Sequence, residues 1–308
     1  MNKSIKDPGL GTFSNKKAKR FIDNKGGFNV KHINKKKSVH EAYAYVIGLS
    51  WFYAIGFIVA AFAAINFVFA FIYLWLGGET IGIKSQGIFN VFLKSYFFSV
   101  QTLTSLGYGY HAPHNIATGV VSSVEAFLGL IFFAFITGLL YGKFSKPQST
   151  VRFSDKMVLC NYKEGRALMF KVMSVTKNMT VLSKIKTSLL LSEENDDQSF
   201  TNRFFELELE RSQITYFSTS WTVVHFIDDK SPLLSYSNEE IAKLHGEFLV
   251  LLSYYDESFN QEVHVANSYV FDDIELDKKF VRVFDYNEEG QMILDHAKLN
   301  KTRNDSSV

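Results

Sequence analysis

Hydrophobic positions crowd into residues 44–142, while charged and mixed sequence fills residues 150–308. Within the apolar half, Trp51 to Leu76 is a run of 26 residues without a charge. At about 1.5 Å per residue such a helix reaches about 39 Å, longer than a hydrocarbon core of about 30 Å, so it predicts a tilted spanning helix. Trp51 and Trp75 lie near its ends, where aromatic belts form. Gly56, Ala60, Ala63 and Ala64 offer small surfaces for close helix contact. Gly77-Gly78 breaks the run, and Ile116 to Gly142 predicts a second span with one acid, Glu125. Between the two, Gly87 to Gln101 is apolar and aromatic but short for a crossing. That length predicts a re-entrant helix, which is tolerated only when protein encloses it.

The flanking patterns differ. Ser38-Val39-His40-Glu41 fits a capping box and opens a helix with Val39, Tyr43, Val46 and Ser50 on one face. It is too short to span and amphipathic enough to lie at an interface. Beyond the second span the period falls towards two. Short runs follow at Val151–Phe153, Met157–Cys160, Leu168–Val175, Lys184–Leu190, Phe204–Glu210, Thr222–Ile227, Glu247–Tyr255, Val263–Val270 and Phe280–Phe284. Many alternate as half-buried antiparallel strands do, and together they predict a β-sandwich.

Net charge is only +2, but residues 1–40 hold eleven Lys/Arg against two Asp. Their low apolar content predicts a largely disordered segment. Its basic excess places it, and after two crossings the C-terminal half, on the cytoplasmic side. Lys35, Lys36 and Lys37 stand just before the interfacial helix, where each charge gains about 1 kcal/mol from anionic lipid. One cysteine, Cys160, excludes an intramolecular disulfide. No metal spacing, nucleophile elbow or phosphate loop points to an enzyme, and the basic tail adjoins a membrane rather than a nucleic-acid site.

The chemistry concentrates in Gln101-Thr102-Leu103-Thr104-Ser105-Leu106-Gly107-Tyr108-Gly109. A dehydrated monovalent cation needs a cage of oxygens, and backbone carbonyls supply one when successive residues aim at a common axis. Backbone handedness must then alternate, which glycine tolerates. Gly107 and Gly109 provide that freedom, Ser105 a hydroxyl, and Tyr108 an outward brace. One chain supplies a quarter of such a cage, so the expectation is a homotetramer. The dipole of the preceding helix favours a cation at its C-terminal end.

This segment resembles the pore signature of potassium channels, and its surroundings resemble the bacterial inward-rectifier (Kir-like) branch. The resemblance covers roughly residues 38–287. It rests on the aromatic helix running into Leu49-Ser50-Trp51, on Val124-Glu125-Ala126-Phe127-Leu128-Gly129, and on Lys146-Pro147. It rests also on Ser220-Trp221-Thr222-Val223-Val224-His225-Phe226-Ile227-Asp228-Asp229-Lys230-Ser231-Pro232-Leu233 and on Asn267-Ser268-Tyr269. It implies ion binding by Ser105, Leu106, Gly107, Tyr108 and Gly109, with Gln101, Thr104 and Glu125 in support. It implies that Phe133, Thr137 and Tyr141 line the cavity, Tyr141 narrowing the exit, and that Glu257 sits at a cytoplasmic pore loop. Lys143 and Lys146 join Lys35, Lys36 and Lys37 as anionic-lipid contacts. His225 and Asp228 are expected to be structural. Phe133 falls where strong rectifiers carry an acid, which implies weak block by polyamines. Ser105 and Leu106 replace the usual Thr and Val/Ile, Gln101 a common Glu, and Gln148-Ser149 a further basic pair.

The expected architecture is therefore a membrane α fold, with two transmembrane helices, a re-entrant pore helix and an interfacial slide helix, followed by a cytoplasmic immunoglobulin-like β-sandwich. Expected bounds are a basic tail over 1–37, the pore domain over 38–147, the sandwich over 148–287 and a polar tail over 288–308. The function implied is passive potassium conduction at an inner (plasma) membrane, multi-pass with both termini cytoplasmic. No cofactor is expected beyond permeant potassium, and membrane lipids with anionic headgroups are the expected partners. A less selective cation channel, or a membrane-tethered sensor with a non-conducting pore, stays open as an alternative.

Overall fold

The computed structural model describes residues 4–15, 20–23, 26–34, 36, 38–84, 87–146, 149–176, 180–195 and 199–305. These form two compact units, one over Asn34–Lys146 and the other from the described residues before and after it.

The first unit is helical. α1 (Val39–Gly48), α2 (Trp51–Leu76), α3 (Ile88–Leu103) and α4 (Ile116–Phe144) follow the expected order closely. The Ser38 carbonyl accepts the backbone N–H groups of Glu41 and Ala42 as α1 begins. α4 starts at Asn115, whose side chain accepts from the Thr118 backbone N–H at 2.8 Å, a cap that satisfies one orphan donor. α2 and α4 are long and apolar enough to cross a membrane, and most of their surface is exposed in the single chain. A soluble core helix of that composition would be buried, so lipid or further copies must cover them. Where α2, α3 and the turn at Gly78–Ile81 meet, Phe69, Tyr73, Ile81, Ile83 and Phe98 form a small apolar cluster.

The second unit is a β-sandwich whose strands are β1 (Phe13–Ser14), β2 (Val151–Phe153), β3 (Met157–Tyr162), β4 (Gly165–Ser174), β5 (Thr180–Glu194), β6 (Phe200–Glu206), β7 (Gln213–Phe217), β8 (Ser220–Ile227), β9 (Gly246–Asp256), β10 (Gln261–Val270) and β11 (Ile274–Leu276). One sheet runs β1-β6-β5-β9-β10 with β7 also on β5; the other runs β11-β3-β4-β2 with β8 on β4. β5 is long enough to pair with β9 along one edge and with β7 and then β6 along the other, and a bulge between Val181 and Lys184, where Leu182 has φ 53°, interrupts its register. The core lies between the sheets: Leu168, Phe170, Val172, Trp221 and Val223 meet Ile185, Leu189, Phe248, Val250 and Leu252.

Three expectations about this unit need correction. Described parts of the basic segment expected to be disordered pack on the sandwich. β1 pairs with β6, Ile22 is buried, and the carboxylate of Glu247 accepts the backbone N–H groups of Phe21 and Ile22 at 2.6 and 3.1 Å. The run expected as one strand over Phe280–Phe284 is two, β12 (Lys278–Phe280) and β13 (Phe284–Tyr286), because Val283 between them turns into the core beside Met173 and Leu299. The polar end expected as a loose tail is packed. β14 (Met292–Leu294) pairs with β13, β15 (Thr302–Asn304) pairs with β12, and buried Asp305 pairs with Lys279 at 2.7 Å.

Candidate functional site

The candidate site is the loop that leaves α3. The helix ends at Thr104 in right-handed geometry (φ −83°, ψ −3°), and Thr104 Oγ1 donates to the Val100 carbonyl at 2.6 Å. The loop then takes positive φ at every second residue: Ser105 58°, Gly107 53° and Gly109 80°. Leu106 and Tyr108 between them are not in that region. This is the alternation of handedness that carbonyl convergence requires. The two glycines accept it freely, whereas Ser105 does so at a cost of about 1–2 kcal/mol. The last turn of α3 holds the loop from behind: the Thr102 carbonyl accepts from Ser105 N at 3.1 Å, and the Gln101 carbonyl accepts from Leu106 N at 2.9 Å and Gly107 N at 3.4 Å. Gln101 thus acts through its backbone. Ser105 to Tyr110 are all exposed in the single chain.

Behind the loop, Glu125 is fully buried on α4. Tyr73 Oη on α2 donates to its Oε2 at 2.6 Å, and Ser99 Oγ on α3 contacts its Oε1. Ser99 Oγ also lies 2.9 Å from Oδ1 of buried Asn66 on α2. Asn66, Tyr73 and Ser99 escaped sequence reasoning, although an asparagine within an uncharged span was a usable signal. One turn further along α4, Gly129 packs directly on the Leu103 backbone, and a Cβ there would overlap the Leu103 carbonyl oxygen.

Towards the far end of α4, Phe133, Thr137 and Tyr141 share an exposed face, while Glu125, Gly129 and Leu139 face protein. Gly142 admits α1: a Cβ there would meet Tyr43 Oη at 2.6 Å and Ile47 Cδ1 at 2.9 Å. Lys143 is engaged more closely than its expected headgroup role suggests. Its ammonium donates to the Ile47 carbonyl at 3.2 Å and to the Leu49 carbonyl, and lies 5.2 Å from the Trp51 ring centroid. It therefore satisfies the carbonyls that α1 leaves open at its C-terminus. Lys36 and Lys146 are exposed; Lys35 and Lys37 lie outside the described residues.

In the sandwich, Glu257 is exposed at the turn between β9 and β10, where the Ser258 N–H donates to Asp256 Oδ1 at 2.9 Å. His225 on β8 is buried, with Nδ1 2.7 Å from the Glu208 carbonyl and Nε2 2.8 Å from Ser231 Oγ. The carbonyl can only accept, so Nδ1 donates and Nε2 accepts from Ser231. Burial pushes its pKa below the ordinary imidazole value. Tyr269 on β10 donates to the Ser154 carbonyl at 2.9 Å. These residues fasten strands together. Among the described residues no cluster of His, Cys, Asp and Glu is arranged to hold a metal.

Comparison with known proteins assigns the chain. A family profile described as "Inward rectifier potassium channel C-terminal domain" matches residues 151–307, and one described as "Ion channel" matches residues 62–146. The chain is 30% identical to the inward rectifier potassium channel Kirbac3.1 of Paramagnetospirillum magnetotacticum, covering 92% of this chain and 95% of that one. It is 25% identical to the human G protein-activated inward rectifier potassium channel 1, over 96% of this chain and 63% of that longer one. The bovine counterpart matches at 25%, over 93% and 62%. The two spanning helices, the loop between them and the β-sandwich thus have a common explanation: the chain belongs to the inward rectifier potassium channel family, whose members are ion channels and not enzymes.

Proposed function

We propose that four copies of this chain surround one axis and pass potassium through the backbone carbonyls of Ser105, Leu106, Gly107, Tyr108 and Gly109. The observation that carries this reading is the alternation of positive φ at Ser105, Gly107 and Gly109, on a loop hung from a short helix between two spanning ones. Carbonyls so arranged replace a hydration shell. A single chain leaves this loop uncovered, which supports assembly around it. Thr104 and the Gln101 carbonyl hold the loop from α3, and Glu125 holds α3 from α4.

On this reading Phe133, Thr137 and Tyr141 face the cavity, and four Tyr141 rings close it by dewetting at the inner end. No acid stands at Phe133, so block by polyamines is weak. Glu257 draws cations towards the axis of the β domain. The basic excess before α1 puts both termini on the cytoplasmic side of the plasma membrane, the inner membrane of a bacterium. Lys36 and Lys146 meet anionic headgroups there, with Lys35 and Lys37. Lys143 instead couples α1 to the end of α4.

The test is potassium release from liposomes containing the purified chain. Barium-sensitive release is expected, with little dependence on spermine. Absence of release in every lipid composition favours a tethered sensor instead, and steep spermine-dependent rectification contradicts the assignment of Phe133.

A further inference from the structure

We propose that the Glu125 carboxyl carries a hydrogen, and that Tyr73, Glu125, Ser99 and Asn66 form one directed hydrogen-bond chain that positions α3 behind the filter loop. The consequence for the loop rests on the function proposed above; the count of hydrogens does not.

Three oxygen–oxygen contacts need hydrogens: Tyr73 Oη with Glu125 Oε2, Ser99 Oγ with Glu125 Oε1, and Ser99 Oγ with Asn66 Oδ1. Tyr73 and Ser99 own one hydroxyl hydrogen each. Asn66 cannot supply the third. Its Nδ2 donates to the Phe62 carbonyl at 2.7 Å, which fixes Oδ1 towards Ser99; turning the amide over would set its oxygen against that carbonyl. With one hydrogen in each contact two do not suffice, so the carboxyl contributes the third. The chain then runs in a single direction. Tyr73 donates to Oε2, the Oε1 hydroxyl donates to Ser99 Oγ, Ser99 donates to Asn66 Oδ1, and Asn66 donates to Phe62. Every contact has one donor and one acceptor, and the net charge is zero.

The setting agrees with that count. Asn66, Tyr73, Ser99 and Glu125 are all fully buried. Among the described residues no Lys, Arg or His pairs with Glu125; the groups that face it are the Tyr73 phenol from α2 and the Ser99 hydroxyl from α3. An unpaired carboxylate at that depth would carry a heavy desolvation penalty. Ser99 lies two residues before Gln101, whose carbonyl holds Leu106 and Gly107. The chain crosses α4, α3 and α2 and fixes the last turns of α3. Glu125 is thus a positioning residue, not a charge on the ion path.

The test uses the full chain reconstituted in lipid. Infrared difference spectra between wild type and E125Q should remove a protonated-carboxyl C=O band. Removal of carboxylate bands instead overturns the proposal. Should E125Q fail to fold, Y73F serves: losing the donor to Oε2 should shift that same band, and an unshifted spectrum overturns the proposal. Glutamine mimics the neutral acid, its N–H donating to Ser99 and its C=O accepting from Tyr73. E125Q should therefore restore the flux and selectivity that E125A lowers about tenfold, because alanine strands buried polar groups. Equal loss in both variants overturns the positioning role. If even the wild type fails to conduct, the filter reading fails while the infrared band still decides the hydrogen.

Discussion

The two units bury polar groups for different reasons. In the β unit the apolar core closes within one chain, and buried charges fasten outlying segments to it. Glu247 receives backbone N–H groups from Phe21 and Ile22, Lys171 donates to the Val281 carbonyl at 2.7 Å, and Asp305 pairs with Lys279. In the helical unit little is closed. Trp75, Phe89, Leu106, Tyr108 and Phe127 are all more than half exposed, and the buried polar residues Asn66, Ser99 and Glu125 gather behind one loop. The first arrangement stabilises a domain whose core one chain closes. The second holds a short helix still in a unit whose apolar surface the single chain leaves open.

The two units part most sharply at Gly129. A valine there must displace the Leu103 carbonyl at the end of α3. Overpacking of this kind costs about 1–3 kcal/mol or more, so G129V should abolish potassium flux while the thermal transition of the β unit stays in place. Loss of the β transition as well would show that the units are not independent.

In the β unit the corresponding cut is E247A. It strands the N–H groups of Phe21 and Ile22 at a cost of about 1–3 kcal/mol. Hydrogen exchange at those two amides should accelerate while the β9–β5 ladder stays protected. Unchanged protection would mean that the β1–β6 pairing alone holds the segment.

A smaller effect comes from pH. Lys171 is buried, with the Phe280 ring 5.0 Å from its ammonium, and desolvation pulls its pKa from 10.5 down to about 8. Between those values the unfolded chain binds the proton and the folded one does not, so stability should rise with pH from about 8 to 10.5. K171M should flatten that slope in a melting series; an equal slope in both proteins would contradict the assignment. His225 carries the same sign at lower pH. Its folded pKa lies below the ordinary 6.5, so its contribution is complete above that value and is lost as pH falls beneath it.

The smallest expected change is K143A. Removing the ammonium from the Ile47 and Leu49 carbonyls should loosen α1 by about 0.3–1 kcal/mol, read as faster exchange at its C-terminal end. Exchange unaltered there would return Lys143 to the headgroups.

Much of this was legible in the sequence because a bilayer and a cation both make strict demands. Only a long uncharged run satisfies the first, and only glycine-relaxed backbone cheaply satisfies the second. Thus α2, α3, α4 and the glycines at 107 and 109 were plain. Ser105 in left-handed backbone was not, since its side chain gives no hint of φ. The network behind the loop pairs residues 26 to 52 positions apart in sequence, which no local pattern encodes. The N-terminal segment misled because β1 has two residues and its anchor is a carboxylate more than 220 residues away. The C-terminal end misled because β12, β13, β14 and β15 have three residues each, too few to show a period.

On the proposed reading the loop from Ser105 to Gly109 strips and replaces the water of potassium. That exchange is tested most directly by the reversal potential of purified chain in a planar bilayer, with potassium on one side and sodium on the other. A reversal potential displaced towards that of potassium is expected. A reversal potential at zero, with current flowing equally for both ions, would contradict it.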